Sequence, residues 1–131
     1  MTSIRKERLI NASSDKVWSA LSDIGALHTR LVPGFVIDTQ LVEGARIVTF
    51  GNGQVFTELI VDLDESARRL VWAIVEEPFR HYNASAQVFA EGAGCCRFVW
   101  VADLLPNELG DHVAQMMEQG LNVIKTTLEA D

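Results

Sequence analysis

The end of the chain carries Leu109, Val113, Met116, Met117, Leu121, Ile124 and Leu128 at steps of three and four residues, which puts them on one stripe of a long helix beginning near Pro106. Residues 35 to 104 read instead as a series of short extended segments. An amphipathic helix that follows an antiparallel meander has one large surface on which to bury such a stripe, the concave face of the sheet it has just left. Where the two surfaces do not close fully, a cavity remains between them.

Extended segments are expected at 4–10, 35–42, 46–50, 55–63, 69–76, 82–91 and 95–104. Glu43-Gly44, Gly51-Asn52-Gly53, Asp64-Glu65-Ser66 and Gly92-Ala93-Gly94 separate most of them, and the Glu77-Pro78-Phe79 connector has proline at its centre. These are turn residues, and Asn-Gly is the strongest short hairpin signal among them. After the first strand, Ser13, Ser14 and Asp15 supply N-cap chemistry for a short helix with Val17, Trp18, Leu21 and Ile24 on its apolar face. Asp23 starts a second short helix through Leu27, and Pro33-Gly34 closes the region. The order predicts an α+β chain. A seven-stranded curved antiparallel sheet wraps around a long C-terminal helix, with two short helices between strands 1 and 2, as one helix-grip domain over 1–131.

The chemistry of the chain narrows its partners. A net charge of -7 and a pI near 4.9 oppose a phosphate backbone, so no nucleic acid partner is expected. The stretch Met1-Thr2-Ser3-Ile4-Arg5-Lys6-Glu7 lacks the apolar core of a signal peptide, and no later run reaches the length of a membrane span. A cytoplasmic protein without stable membrane insertion is expected, as monomer or homodimer. Adjacent Cys95 and Cys96 point to opposite faces of a strand and read as free thiols, while His28, His81 and His112 are too isolated to build a metal site with them. No phosphate loop, dinucleotide fingerprint or Gly-x-Ser-x-Gly is present, so neither a metal nor a cofactor is expected.

Several phrases together resemble a known family. They are Val17-Trp18-Ser19-Ala20-Leu21-Ser22-Asp23, Leu41-Val42-Glu43-Gly44, Thr57-Glu58-Leu59, Asp62-Leu63-Asp64-Glu65, Arg68-Arg69-Leu70-Val71-Trp72, Phe79-Arg80-His81-Tyr82-Asn83-Ala84 and Phe98-Val99-Trp100-Val101-Ala102-Asp103-Leu104. Over nearly the whole chain the order is similar to the START-like, Bet v 1-like superfamily, in particular the bacterial polyketide cyclase/dehydrase and lipid-transport group related to plant abscisic-acid receptors. Members bind hydrophobic ligands, act as hormone receptors or cyclise polyketides, so fold alone does not decide function. By motif matching, the resemblance implies ligand contacts at Ile37, Glu58, Trp72, Ile74, Tyr82, Ala84 and Phe98. Ile37 stands where the plant receptors present a lysine, which disfavours a carboxylate-bearing hormone. His28 stands where members often have an aromatic residue.

Strand alternation independently groups Phe35 with Ile37, Phe56 with Glu58 and Ile60, Trp72 with Ile74, Tyr82 with Ala84, and Phe98 with Trp100 and Ala102. Val113, Met116, Met117 and Leu121 come from the helix, the methionines being adaptable to irregular space. These side chains either fill a plain core or line a cavity. Glu58 either reaches water on a hairpin or supplies, with Tyr82 and Trp100, the polar groups of an otherwise apolar pocket. The alternation around Arg46 does not decide its side. His28 and Arg30 are placed near the entrance without a role, and His81, out of phase with Tyr82, faces solvent.

Three functions compete. The first is a binding protein for a small aromatic, polyketide-like or lipid-like molecule held between sheet and helix. The second is a polyketide cyclase/dehydrase-type enzyme in which Glu58 and Tyr82 are the catalytic candidates, shuttling protons. The third is a protein-interaction module with a filled core.

Overall fold

The computed structural model describes residues 1–130. The chain forms β1 (Thr2–Ile10), α1 (Ser14–Ser22), a 3₁₀ turn (Ile24–Ala26), a π-helical turn (Leu27–Leu31), and then β2 (Val36–Val42), β3 (Ala45–Phe50), β4 (Val55–Asp64), β5 (Arg69–Ile74), β6 (His81–Ala90) and β7 (Cys96–Leu105). A 3₁₀ turn (Asn107–Leu109) leads into α2 (Gly110–Glu129). The strands make one antiparallel sheet in the order β1-β7-β6-β5-β4-β3-β2, so the meander runs outward from β7 while β1 returns to its far side. This is the helix-grip arrangement, with α2 held against the inner face.

Local chemistry explains the boundaries. Ser13 caps α1 by accepting from the Lys16 N–H at 3.1 Å, and Val17, Trp18, Ala20 and Leu21 form its buried face. The Trp18 indole N–H donates to Glu65 in the β4–β5 turn at 2.7 Å, and Arg68 in that turn bonds Ser14 at 2.8 Å. These contacts pin α1 over the end of the sheet. The second short helix expected over 23–27 is a 3₁₀ turn followed by a π turn that runs on to Leu31. Gly25 sits there because the Leu41 side chain lies within 3.0 Å of where a β-carbon would be.

The buried side of α2 carries Val113, Met117, Leu121, Ile124 and Leu128, each contributing about 1.5–3 kcal/mol by leaving water. One flank of the helix is polar and ties it to β1. Glu118 pairs with Arg8, and the Lys125 ammonium donates to the Leu9 carbonyl at 2.8 Å. Gly120 is needed for contact, since a β-carbon there would stand 2.9 Å from the Trp100 ring.

The β3–β4 hairpin folds symmetrically about Asn52. Its tip meets the segment before β2, where the Gly51 N–H donates to the Phe35 carbonyl at 2.9 Å. A β-carbon on Gly51 would lie 2.5 Å from the Gly34 carbonyl oxygen, so only glycine permits the two backbones to approach this closely.

Candidate functional site

Between α2 and the concave sheet lies a chamber of about 100 Å³, bounded on one side by the strands and on the other by Val113, Met116, Met117 and Ile124. Aromatic rings make much of its wall. Phe35 meets Phe50 edge-on at 5.7 Å between centroids, Phe50 meets Phe56 at 6.1 Å, Phe56 meets Phe79 at 5.9 Å and Phe79 meets Tyr82 at 4.8 Å. Trp72 and Trp100 pack 6.2 Å apart. A second hollow of about 230 Å³ shares Phe35, Phe50 and Met116 with the first and is otherwise walled by Gly34, Gly51, Asn52 and Gln119. Those three side chains therefore separate an inner chamber from an outer one.

One ion pair lies in this apolar surround. The Arg46 Nε–H donates to Glu58 Oε1 at 2.9 Å, with Arg46 3% and Glu58 5% exposed. Arg46 Nη1 donates to the Ile24 carbonyl at 3.2 Å, and the guanidinium carbon stands 5.9 Å from the Trp72 ring centroid. The burial cost of two charges is thus met by a direct partner, a backbone acceptor and an aromatic face. Register accounts for the meeting: Arg46 faces Glu58 across β3 and β4, and Glu58 faces Ile74 across β4 and β5. Tyr82 continues the row on β6, beside Asn83, the partner of Ala73.

Burial, and then the negative charge of Glu58, push the Tyr82 hydroxyl well above the ordinary phenol pKa of 10.0. The sign of the pH effect follows. Below pH 10 Tyr82 is protonated in both folded and unfolded chains, so its ionisation costs nothing; above it only the unfolded chain ionises, and stability falls as pH rises. Wild type should lose about 1.4 kcal/mol per pH unit above 10 relative to Tyr82→Phe. Tyr82 is the sole tyrosine, so phenolate absorbance during urea unfolding at alkaline pH reads this group alone. Equal pH slopes for the two proteins would contradict the placement.

Phe35, Phe56, Glu58, Trp72, Ile74 and Tyr82 all border the chamber, as do Phe98 and Trp100 and, from α2, Val113, Met116 and Met117. Three expected residues do not. Ile37 is 56% exposed, because a β-bulge between Val36 and Asp38 inserts an extra residue and turns Val36 inward in its place. Ile37 is therefore not a chamber contact. Ala84 is buried on the inner face but is a short side chain directly beside the Trp72 indole, its cross-strand partner. Leu121 is fully buried yet off the chamber wall. It lies round the helix from Gly120 towards Glu118, Asn122 and Lys125, which bond to Arg8 and Leu9 of β1.

Other wall residues escaped sequence reasoning. Arg46 could have been found, since Arg46 and Glu58 are equidistant from Asn52 and a hairpin centred there sets them face to face. Phe50 shares its phase. His112 stands one helical turn before Met116 and borders the chamber from α2. Phe79 opens one of the family-like phrases, but it sits in a connector without periodicity to give its direction. Arg30 is occupied at the surface by Asp23 and Ser19, and the half-buried His28 is not part of the wall. Among the described residues no three His, Cys, Asp or Glu side chains converge to hold a metal, and no helix is long and apolar enough to cross a membrane. Cys96 is fully buried, and burial followed by the neighbouring Cys95 raises its thiol to about 11.

Residues 1–129 match the model of the family described as polyketide cyclase / dehydrase and lipid transport. No curated protein sequence matches the chain. Among solved structures, an uncharacterised protein from Bacillus thuringiensis shares 16% identity at a TM-score of 0.88, covering 98% of this chain and 100% of that one. The di-domain ARO/CYC BexL from the BE-7585A biosynthetic pathway shares 16% identity at a TM-score of 0.86 over 98% of this chain; the match spans 47% of BexL. Truncated norcoclaurine synthase from Thalictrum flavum shares 18% identity at a TM-score of 0.76, covering 99% of this chain and 95% of that one. At these identities the structural likeness concerns the fold.

Proposed function

Because the chain belongs to the polyketide cyclase/dehydrase and lipid transport family, we propose that it is a single-domain binding protein for a small, mostly apolar molecule, held between the sheet and α2. The observation that carries this reading is the chamber itself: helix and sheet leave about 100 Å³ between them, walled by aromatic and aliphatic side chains. A fully interlocked core, as an interaction module would have, leaves no such space. A void of roughly 150 Å³ accepts benzene, so the inner chamber is on the scale of a small ring rather than a long acyl chain.

The side chains assigned to the guest from the sheet side are Phe35, just before β2, and Phe56, Trp72, Ile74, Phe98 and Trp100 on the strands. Met116, Met117 and Val113 cover it from the helix, and Glu58 and Tyr82 give the polar contacts. Burial of apolar area supplies the affinity and the few polar atoms supply orientation.

Titration of a Trp18→Phe variant with a library of small aromatic and aliphatic compounds tests the proposal, since Trp72 and Trp100 are then the only indoles. Saturable changes in their fluorescence are expected. Silence across the library counts against a binding role.

A catalytic reading draws on the same row of residues, with Glu58 and Tyr82 available for proton transfer to and from a bound enol. Turnover of a short poly-β-ketone by wild type and its loss in Tyr82→Phe, with binding retained, would favour a cyclase/dehydrase-type enzyme.

A further inference from the structure

We propose that the guest is an uncharged single-ring compound bearing a hydroxyl group, a phenol in its simplest form, with that hydroxyl held between Glu58 and Tyr82 and with carboxylates turned away. This rests on the binding role just proposed and specifies its chemistry.

Three observations lead to it. First, the arginine of the chamber wall is already paired: Arg46 is buried against Glu58 at 2.9 Å and against the Ile24 carbonyl at 3.2 Å, and the other basic side chain on the wall among the described residues is the imidazole of His112, across on α2. A carboxylate entering beside this pair would bring a second anion next to Glu58 while the guanidinium is already shared with Glu58 and a carbonyl, and buried like charges repel strongly.

Second, polar capacity remains on the inner row. Glu58 uses Oε1 for Arg46 and keeps Oε2 as an acceptor, and Tyr82 borders the same chamber one strand beyond Ile74. Between them stands only Ile74, the cross-strand neighbour of Glu58, which offers no polar atom. A phenolic hydroxyl both donates and accepts, so it can donate to Glu58 and accept from Tyr82. A purely hydrocarbon ring would shut both groups off from water without giving either a partner, which favours the hydroxylated guest over its hydrocarbon analogue.

Third, the wall is built for a flat apolar body. Phe56, Trp72 and Phe98 present rings from neighbouring strands, and the chamber has the scale of one ring.

The test compares toluene, phenol and benzoate, three probes of one ring each, by calorimetric titration and thermal shift of the wild-type protein at neutral pH. Phenol should bind about tenfold or more tightly than either of the others, the difference expected from one hydrogen bond to a charged group. Glu58→Gln leaves Arg46 uncompensated and should reverse the preference, so that benzoate binds more tightly than phenol. Should that variant fail to fold, the paired replacement of Arg46 by Met and Glu58 by Leu, which removes both charges, should bring phenol down to the level of toluene. Equal affinity of wild type for phenol and toluene, or for phenol and benzoate, overturns the inference while leaving apolar binding intact. Binding of none of the three, together with silence in the wider tryptophan titration, removes the binding role and this inference with it.

Discussion

Replacing Glu58 by leucine should destabilise the protein by about 3–5 kcal/mol, because it leaves the Arg46 guanidinium buried without its counter-charge. The magnitude follows from burial rather than from the pair's existence. Arg46 and Glu58 are almost fully enclosed, whereas the Arg5–Glu7 pair, at 2.8 Å, lies on side chains that are 59% and 40% exposed. Water screens the exposed pair, so Arg5→Ala should cost less than about 1 kcal/mol. Removing both buried charges together is a different experiment. Arg46→Met combined with Glu58→Leu should return to within about 1 kcal/mol of wild type, since two apolar side chains of similar volume need neither partner. Urea denaturation midpoints of the three variants provide the check. A Glu58→Leu protein as stable as Arg5→Ala would mean that the pair is hydrated and the chamber is not dry.

Phe98→Ala should have an effect of the same size, about 3–5 kcal/mol, for the opposite reason: it removes contacts and opens space. Phe98 is 1% exposed, on β7 between the edge strand β1 and β6, and it forms part of the chamber wall. Truncation there enlarges the chamber instead of letting the core collapse, because β6 and β1 hold β7 on both sides. A ring-sized guest should then recover part of the loss. Toluene at a hundred times its dissociation constant would restore about 2.7 kcal/mol, read as a rise in melting temperature that depends on its concentration. Phe89→Ala on β6 serves as the control. That ring is 37% exposed and stands 5.3 Å from the Arg97 guanidinium in a cation–π pair, so less than about 1 kcal/mol is expected. If toluene stabilised both variants equally, the space left by Phe98 would not be part of the chamber.

Much of the architecture was legible because two periodicities alternate cleanly along the chain. The stripe ending at Leu128 reported α2, and the glycine-rich turns reported the hairpins, with strand limits close to those observed. Side-chain direction was harder. The bulge at Val36/Asp38 reversed the reading of Ile37, and a second irregularity between Ile60 and Asp62 changes the phase within β4. A bulge adds one residue without altering composition, so a period of two cannot report it. The pattern predicts a short helix from Asp23 through Leu27, yet the chain makes a 3₁₀ turn over Ile24–Ala26 and then a π turn over Leu27–Leu31. The close Leu41–Gly25 contact belongs to tertiary packing, which no local pattern reveals. Glu58 stood out because a carboxylate occurred in phase with Phe56 and Ile60. Its partner stayed hidden until the two strands were paired through Asn52.

The approach of Gly51 to Gly34 gives the boundary between the two hollows an unusual division of labour. Main-chain atoms hold the hairpin tip against the segment before β2, and that frame has no side chain to vary. What can vary is the trio of Phe35, Phe50 and Met116 standing between the inner and outer hollows. Exchanging these for smaller residues would join the two spaces while the frame stays as it is. The size of molecule admitted could therefore be retuned at three positions without rebuilding the scaffold.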